Sequence, residues 1–314
     1  MHVHFWGTRG SLPYSMTATT VRAKIRAALL LWREEKGTDV DSFIDGKLPF
    51  HMRGAYGGNT SCVEIGGCSE PVICDAGTGL RDLGAGLAGG APAAAKVYNI
   101  FISHLHWDHI QGFPFFPPLF DPAAEINIFG GHEDLREAFT AQQEAPFFPV
   151  PLKAVRARLN FRTLKPDRPY DIAGCKVRPI AQSHPGGSYG YIFERGGKKV
   201  VYSTDSEHKS QSDNAGYPFL KHFKDADLLI LDAQYTLLDA IDKKENWGHS
   251  SNLLAVELAV RSGARSLCLF HNEHTFDDEK LYKFLSNTEK YLRLYAPSSR
   301  IEVLLAYDGL HLML

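Results

Sequence analysis

One stretch limits what this chain can become. The apolar run 97–103 opens directly into Ser103-His104-Leu105-His106-Trp107-Asp108-His109. A short run without alternation predicts a strand covered on both faces. His104 and His106 are two residues apart, so at a strand end both imidazoles project to one side. Asp108 and His109 follow as the chain turns and reach a second point a few ångströms off. With only 14 histidines among 314 residues, this grouping is far denser than composition supplies. Imidazoles with a carboxylate are borderline-soft ligands suited to zinc, and acceptable to manganese or iron.

Four groups are too few for two cations, so further ligands are expected at other strand ends. Three residues fit. His184 follows the apolar run around 177–180, Asp205 ends Val200-Val201-Tyr202-Ser203-Thr204-Asp205, and His271 ends Leu267-Cys268-Leu269-Phe270-His271. A carboxylate such as Asp205 can bridge two cations with its two oxygens. Asp75, after the run 71–74, is expected behind the ligands, steadying the histidine loop.

The rest of the chain supplies a scaffold of mixed strands and helices. Strands are expected at 2–6, 61–65, 71–74, 126–130, 176–182, 189–194, 199–203, 227–231, 266–270 and 301–307. Helices are expected at 19–36, 132–143 and 253–261, and along Leu281, Phe284, Leu285, Thr288 and Leu292. Residues 80–95 read as a short helix followed by an Ala/Gly loop. Asp308-Gly309 between apolar runs predicts a closing hairpin. No repeat or Pro/Ser-rich linker divides the chain, so one α/β domain over 1–314 is the simplest account.

Charge and cysteine usage narrow the function. The net charge is −2, so no global basic field draws in nucleic acid. The five cysteines form no CxxC pair, which suits reduced, buried thiols. No run of about 18 apolar residues implies a membrane span. The start at Met1-His2-Val3-His4 lacks a basic leader, and a cytoplasmic protein is expected.

In several motifs the sequence resembles the metallo-β-lactamase superfamily, in its ribonuclease Z-like and cyclic-nucleotide phosphodiesterase branch. They are Phe5-Trp6-Gly7-Thr8-Arg9-Gly10-Ser11, Gly57-Gly58-Asn59-Thr60-Ser61, Asp75-Ala76-Gly77-Thr78-Gly79 and the histidine loop. Tyr202-Ser203-Thr204-Asp205, Asp232-Ala233-Gln234-Tyr235-Thr236, Gly248-His249-Ser250-Ser251 and Ala306-Tyr307-Asp308-Gly309 continue it. Residues 14–55 interrupt the resemblance and look like a helical insertion. Membership implies an αββα sandwich with two divalent metals at one edge of its sheets, zinc before manganese. By position, His104, His106 and His184 would hold one metal. Asp108, His109 and His271 would hold the other, and Asp205 would bridge. An acid and a histidine beside the metals mark this branch. Here they are Asp232, where ribonuclease Z commonly has Glu, and His249.

Two metals can hold a bridging hydroxide at neutral pH and brace both oxygens of an in-line displacement. Asp108 belongs to that catalytic centre, and His249 oriented by Asp232 would protonate the leaving oxygen. A small phosphodiester, a cyclic nucleotide or related cyclic phosphate, is the favoured substrate. RNA is the disfavoured alternative, because the chain is slightly acidic and only a hairpin separates His184 from Asp205. A thioester or lactam hydrolase, and a metal-bound binding scaffold, are the other readings. The helix 19–36 carries five basic and two acidic residues together with Val21, Ile25, Ala28, Leu29, Leu30, Leu31 and Trp32. That is more apolar surface than one packing face needs. The excess predicts that the insertion covers the active-site mouth and contributes to a homodimer.

Overall fold

The computed structural model describes every residue except 90–95, 210–213, 215 and 243–245. Two seven-stranded sheets carry the fold. The first contains β1 (His2–Gly7), β2 (Cys62–Gly66), β3 (Val72–Cys74), β4 (Val97–Phe101), β5 (Glu125–Gly130) and β6 (Arg158–Thr163) in that spatial order. The second contains β7 (Tyr170–Ile172), β8 (Cys175–Gln182), β9 (Ser188–Arg195), β10 (Lys198–Ser203), β11 (Leu228–Asp232), β12 (Ser266–Phe270) and β13 (Glu302–Leu305), also in sequence order across the sheet. β14 (His311–Met313) returns to the first sheet and pairs antiparallel with β1.

Period-two alternation builds the layers. In β11, Leu228 and Ile230 point between the sheets, while Leu229 and Leu231 point outward. The inner layer joins Phe5 and Phe101 of the first sheet to Tyr191, Phe193, Tyr202 and Phe270 of the second. Outside the first sheet, Ile73, Ile100 and Ile128 pack on Leu80 and Leu83 of the helix Gly79–Gly89 and on Phe139 of Leu135–Gln142. Outside the second, Leu229, Leu231 and Leu267 pack on Ala255 and Val256 of Asn252–Ser262 and on Leu281 of Asp278–Tyr295. The order is helix, sheet, sheet, helix, as the resemblance implied. β3–β6 run parallel, and so do β10–β13, so their C-terminal ends gather along one edge of the sandwich.

Two departures from the sequence expectations have physical causes. Asp308-Gly309 does not close a hairpin, because β13 and β14 lie in different sheets. The Asp308 carboxylate instead accepts from the amides of Gly58 and Asn59, each at 2.9 Å, and the Gly309 amide bonds the Phe5 carbonyl at 2.7 Å. β6 and β7 were not foreseen: β6 is an edge strand whose charged Arg158 and Arg162 mask half-buried Leu159 and Phe161. The loop expected at the end of 80–95 falls at 90–95, outside the described residues.

Residues 14–55 form the helices Ala18–Glu34, Val40–Gly46 and Phe50–Arg53. They pack on the start of Asp278–Tyr295 through a Lys24–Asp278 ion pair and the rings of His51 and Tyr282, 4.4 Å apart. Phe50 touches Tyr56 and Tyr307 with ring centroids 4.9 and 4.6 Å away.

Candidate metal centre

Every predicted ligand follows a strand that ends at the same edge. β4 delivers His104 and His106, and a single helical turn, Trp107–Ile110, adds Asp108 and His109. β8 leads to His184, β10 to Asp205 and β12 to His271. The backbone must turn sharply after each strand. Asp75, Asp205, His271 and Ser11 all adopt positive φ, between 48° and 65°. Such conformations cost about 1–3 kcal/mol each in a non-glycine residue and persist only where the surroundings over-determine them.

The side chains converge as two trios. His106 Nδ1 lies 2.9 Å from His104 Nε2 and 3.1 Å from His184 Nε2. His109 Nε2 and His271 Nε2 are 3.2 Å apart, and Asp108 Oδ2 is 3.2 and 3.1 Å from them. Asp205 stands between the trios. Its Oδ1 is 3.3 Å from His109 and 3.4 Å from His271, and its Oδ2 is 3.6 Å from His104 and 3.8 Å from His184. Three imidazole nitrogens aimed at one point have too few protons to satisfy one another, whereas a cation accepts every lone pair. The donor set therefore fits divalent metal. His106 is exposed and marks the mouth; His104, Asp108, His109, Asp205 and His271 are buried.

Outer hydrogen bonds fix the rings. Asp75 Oδ2 holds His109 Nδ1 at 2.7 Å, and the same carboxylate accepts from the Ser103 amide, Ser103 Oγ and the Tyr202 hydroxyl at 2.7–2.8 Å. His184 Nδ1 donates to the Gly248 carbonyl at 2.9 Å. The Ser11 amide donates to Asp108 Oδ2 at 2.7 Å. Arg9, fully buried, ties Ser11's loop to the carbonyls of Gly57, Glu273 and Phe276. Tyr202, Ser11 and Gly248 had no assigned role in the sequence reading. Ser11 and Gly248 act through backbone atoms, which leave no side-chain signature, and Tyr202 reaches Asp75 only across the sandwich interior. His274 sits beside Glu273, its Nδ1 3.3 Å from a carboxylate oxygen.

Electrostatics follow from burial. Burial alone would raise the Asp108 carboxyl, but His109 and His271 outweigh it and hold it well below the usual range. Burial likewise opposes a charged His109, yet Asp108, Asp205 and Asp75 push its pKa well up. A bound cation takes over that neutralisation and requires the ring to be neutral.

Asp232, at the end of β11, accepts from His249 Nδ1 at 2.7 Å. One methylene shorter than Glu, it still reaches, because its Oδ1 is anchored by the amides of Gln234 and Ser250. The His249 ring stacks on His271, centroids 5.0 Å apart and 18° from parallel. Burial lowers its basicity, but Asp232 and Asp205 override this and raise its pKa to about 9. Asp232 thus holds the His249 ring directly beside the ligand cluster.

Residues 71–272 match the family described as the beta-lactamase superfamily domain. The chain belongs to this family. A ribonuclease Z of Natronomonas pharaonis is 26% identical over 265 residues, covering 68% of this chain and 81% of that protein. The fold is shared with human tRNase Z, short form (TM-score 0.59, 20% identity, 100% of this chain and 99% of that one). It is also shared with a diphosphatase from the PhnP family (TM-score 0.62, 18% identity, 100% and 97%). The chain has the metallo-β-lactamase fold, and these similarities are to proteins on the ribonuclease Z and phosphodiesterase side of that superfamily. Among the described residues, no helix is long and apolar enough to cross a membrane.

Proposed function

We propose that this hydrolase cleaves a small phosphodiester, a cyclic nucleotide or related cyclic phosphate, with two divalent cations. Zinc is the first choice and manganese the second. The observation that carries the reading is the hydrogen-bonded Asp232–His249 pair beside the two ligand trios. A poor alkoxide leaving group needs a proton, and thioester or lactam cleavage gives no such role to this pair. His104, His106 and His184 would hold one cation, Asp108, His109 and His271 the other, and Asp205 would serve both. Bound cations supply charge neutralisation at the phosphoryl oxygens and acidify a water for attack. The protein's own steps are positional and acid–base. Asp75 and Ser11 keep His109 and Asp108 on station, and Asp232 holds the His249 ring by Nδ1, leaving Nε2 to protonate the departing oxygen.

RNA cleavage is the second reading, favoured by the ribonuclease Z relative. Against it stand the net charge of −2 and the tight course of β8, β9 and β10, whose connections are five and two residues long. We propose as well that the chain is one domain interrupted by residues 14–55, with that segment bordering the mouth and joining a homodimer. Its support is Tyr14, under the Arg9 guanidinium at 4.3 Å and three residues from Ser11.

The test is His249→Ala in metal-loaded protein. Bound metal should stay constant while turnover of a cyclic nucleotide falls by about 10²–10⁴. The loss should shrink for a p-nitrophenyl phosphodiester, whose leaving group hardly needs protonation. Equal losses on both remove His249 from the acid role. Faster cleavage of a tRNA precursor or nitrocefin than of any cyclic nucleotide overturns the substrate assignment.

A further inference from the structure

The edge of the sandwich opposite the metal centre holds a second reactive grouping. Cys68 lies two residues beyond the end of β2, and Cys175 is the first residue of β8. β2 runs antiparallel to β3, and β8 leads toward His184, so both cysteines sit at the strand ends farthest from the ligands. The two turns that carry them touch: the Ser69 amide donates to the Ala173 carbonyl at 2.9 Å. Arg195 of β9 reaches the same carbonyl at 3.2 Å. Cys68 packs against the buried cluster that contains Cys175, whose thiol donates to the Glu194 carbonyl at 3.5 Å, and Arg195 reaches the turn between them. Cys68 is half-buried, whereas Cys62, Cys74, Cys175 and Cys268 are buried.

We propose that Cys68 and Cys175 form an oxidation site that closes to a disulfide between the two sheets when the protein meets a peroxide. The Cys68 thiolate attacks the O–O bond, its sulfur becomes a sulfenic acid, and water or an alcohol leaves. The Cys175 thiol then attacks that sulfur, the S–S bond forms and a water departs. Two thiols lose one electron each, and the peroxide takes both. Three features suit Cys68 to the first step. It is the most accessible thiol, it lies beside a guanidinium, and the turn that carries its partner is already in contact with its own. The contact with Cys175 and the Arg195 charge draw the Cys68 pKa down to about 7, while Cys175 is raised. Burial pushes Cys62 and Cys74 well up, away from reactivity.

The experiment exposes metal-loaded protein to a small excess of hydrogen peroxide and counts thiols after denaturation. The five cysteines should lose two reactive thiols together, and dithiothreitol should restore both. Peptide mapping should find Cys68 joined to Cys175 in a single chain. The melting temperature should rise by several degrees, because the link joins residues far apart in sequence. Phosphodiesterase turnover should change less than about twofold, since the pair sits at the far edge. In Cys175→Ser a dimedone adduct should accumulate on Cys68. In Cys68→Ser, a change at a half-buried site, no intramolecular link should form. The proposal falls if both thiols stay free in the wild type, if Cys68 links only to another copy, or if the loss proceeds unchanged in Cys68→Ser.

Discussion

The ligand edge and the helical segment 14–55 are built on opposite terms. At the ligand edge, Asp75, Asp205 and His271 are fully buried and held in left-handed backbone, with hydrogen bonds converging on Asp75 from Ser103, Tyr202 and His109. In the segment, the helix Ala18–Glu34 buries no residue completely, and Val21, Ile25 and Leu29 are 42%, 56% and 62% exposed. The first region spends folding free energy to hold polar atoms where chemistry wants them. The second leaves apolar atoms where folding does not want them. Both depart from what stability alone would select.

The largest break in that comparison is Asp205→Ala. It removes the one carboxylate facing both trios, so bound metal should fall from two per chain to one or none by elemental analysis. Turnover should drop to that of the chelator-treated protein. Retention of two metals would show that the trios need no shared oxygen. Tyr202→Phe is a smaller probe of the same region. It deletes one donor to Asp75 and leaves the ring, so metal affinity should fall by about 10–100-fold. Turnover at saturating metal should change only a few-fold. An unchanged metal titration would reduce Tyr202 to a packing residue.

The contrast explains what could be read from the sequence. HxHxDH was legible because metal ligation demands particular side chains at fixed spacing, and the strand ends at His184, Asp205 and His271 follow the same logic. Asp75 was legible by the need to orient a ligand ring. Ser11 was not, since it contributes an amide proton that any residue carries. The Asp308-Gly309 turn misled because its local signal was sound while the carboxylate's partners, Gly58, Asn59 and Thr8, lie some 250 residues or more away in sequence. The exposed stripe on Ala18–Glu34 could be read as excess apolar surface, but its location could not, because the helix is tied to the fold by Lys24 and Asp278.

A pH measurement sharpens the comparison on the rigid side. His208 follows the ligand strand β10, is buried, and hydrogen-bonds Tyr217 through Nδ1 at 2.5 Å. Burial, against the field of Asp232, lowers its pKa to about 4. The unfolded chain binds a proton near 6.5, the folded protein only near 4. Stability from keeping this ring neutral is therefore complete above about pH 6.5 and is lost as pH falls toward 4, by at most about 3 kcal/mol. Denaturant titrations between pH 7 and 4 should show this slope flattened in His208→Gln. An identical slope in the variant would assign the acid sensitivity to the carboxylates.

The smallest effect is expected on the loose side, from Val21→Ser, Ile25→Ser and Leu29→Ser combined. Removing residues 16–53 would be a cruder test, because Phe50 covers Tyr56 and Tyr307 and its loss would expose core rings. The three substitutions touch only exposed positions one turn apart on one helix face. In an isolated chain each should shift stability by less than about 0.5 kcal/mol. If the stripe is the face of the proposed dimer, light scattering should show the mass falling from two chains to one at micromolar concentration, and the melting temperature should lose its dependence on protein concentration. Turnover at saturating substrate should hold, since these side chains stand apart from the ligand trios, while a rise in KM would place the helix at the mouth as well. An unchanged mass together with an unchanged KM would leave the stripe as surface without a partner, and the segment would then be neither lid nor dimer element.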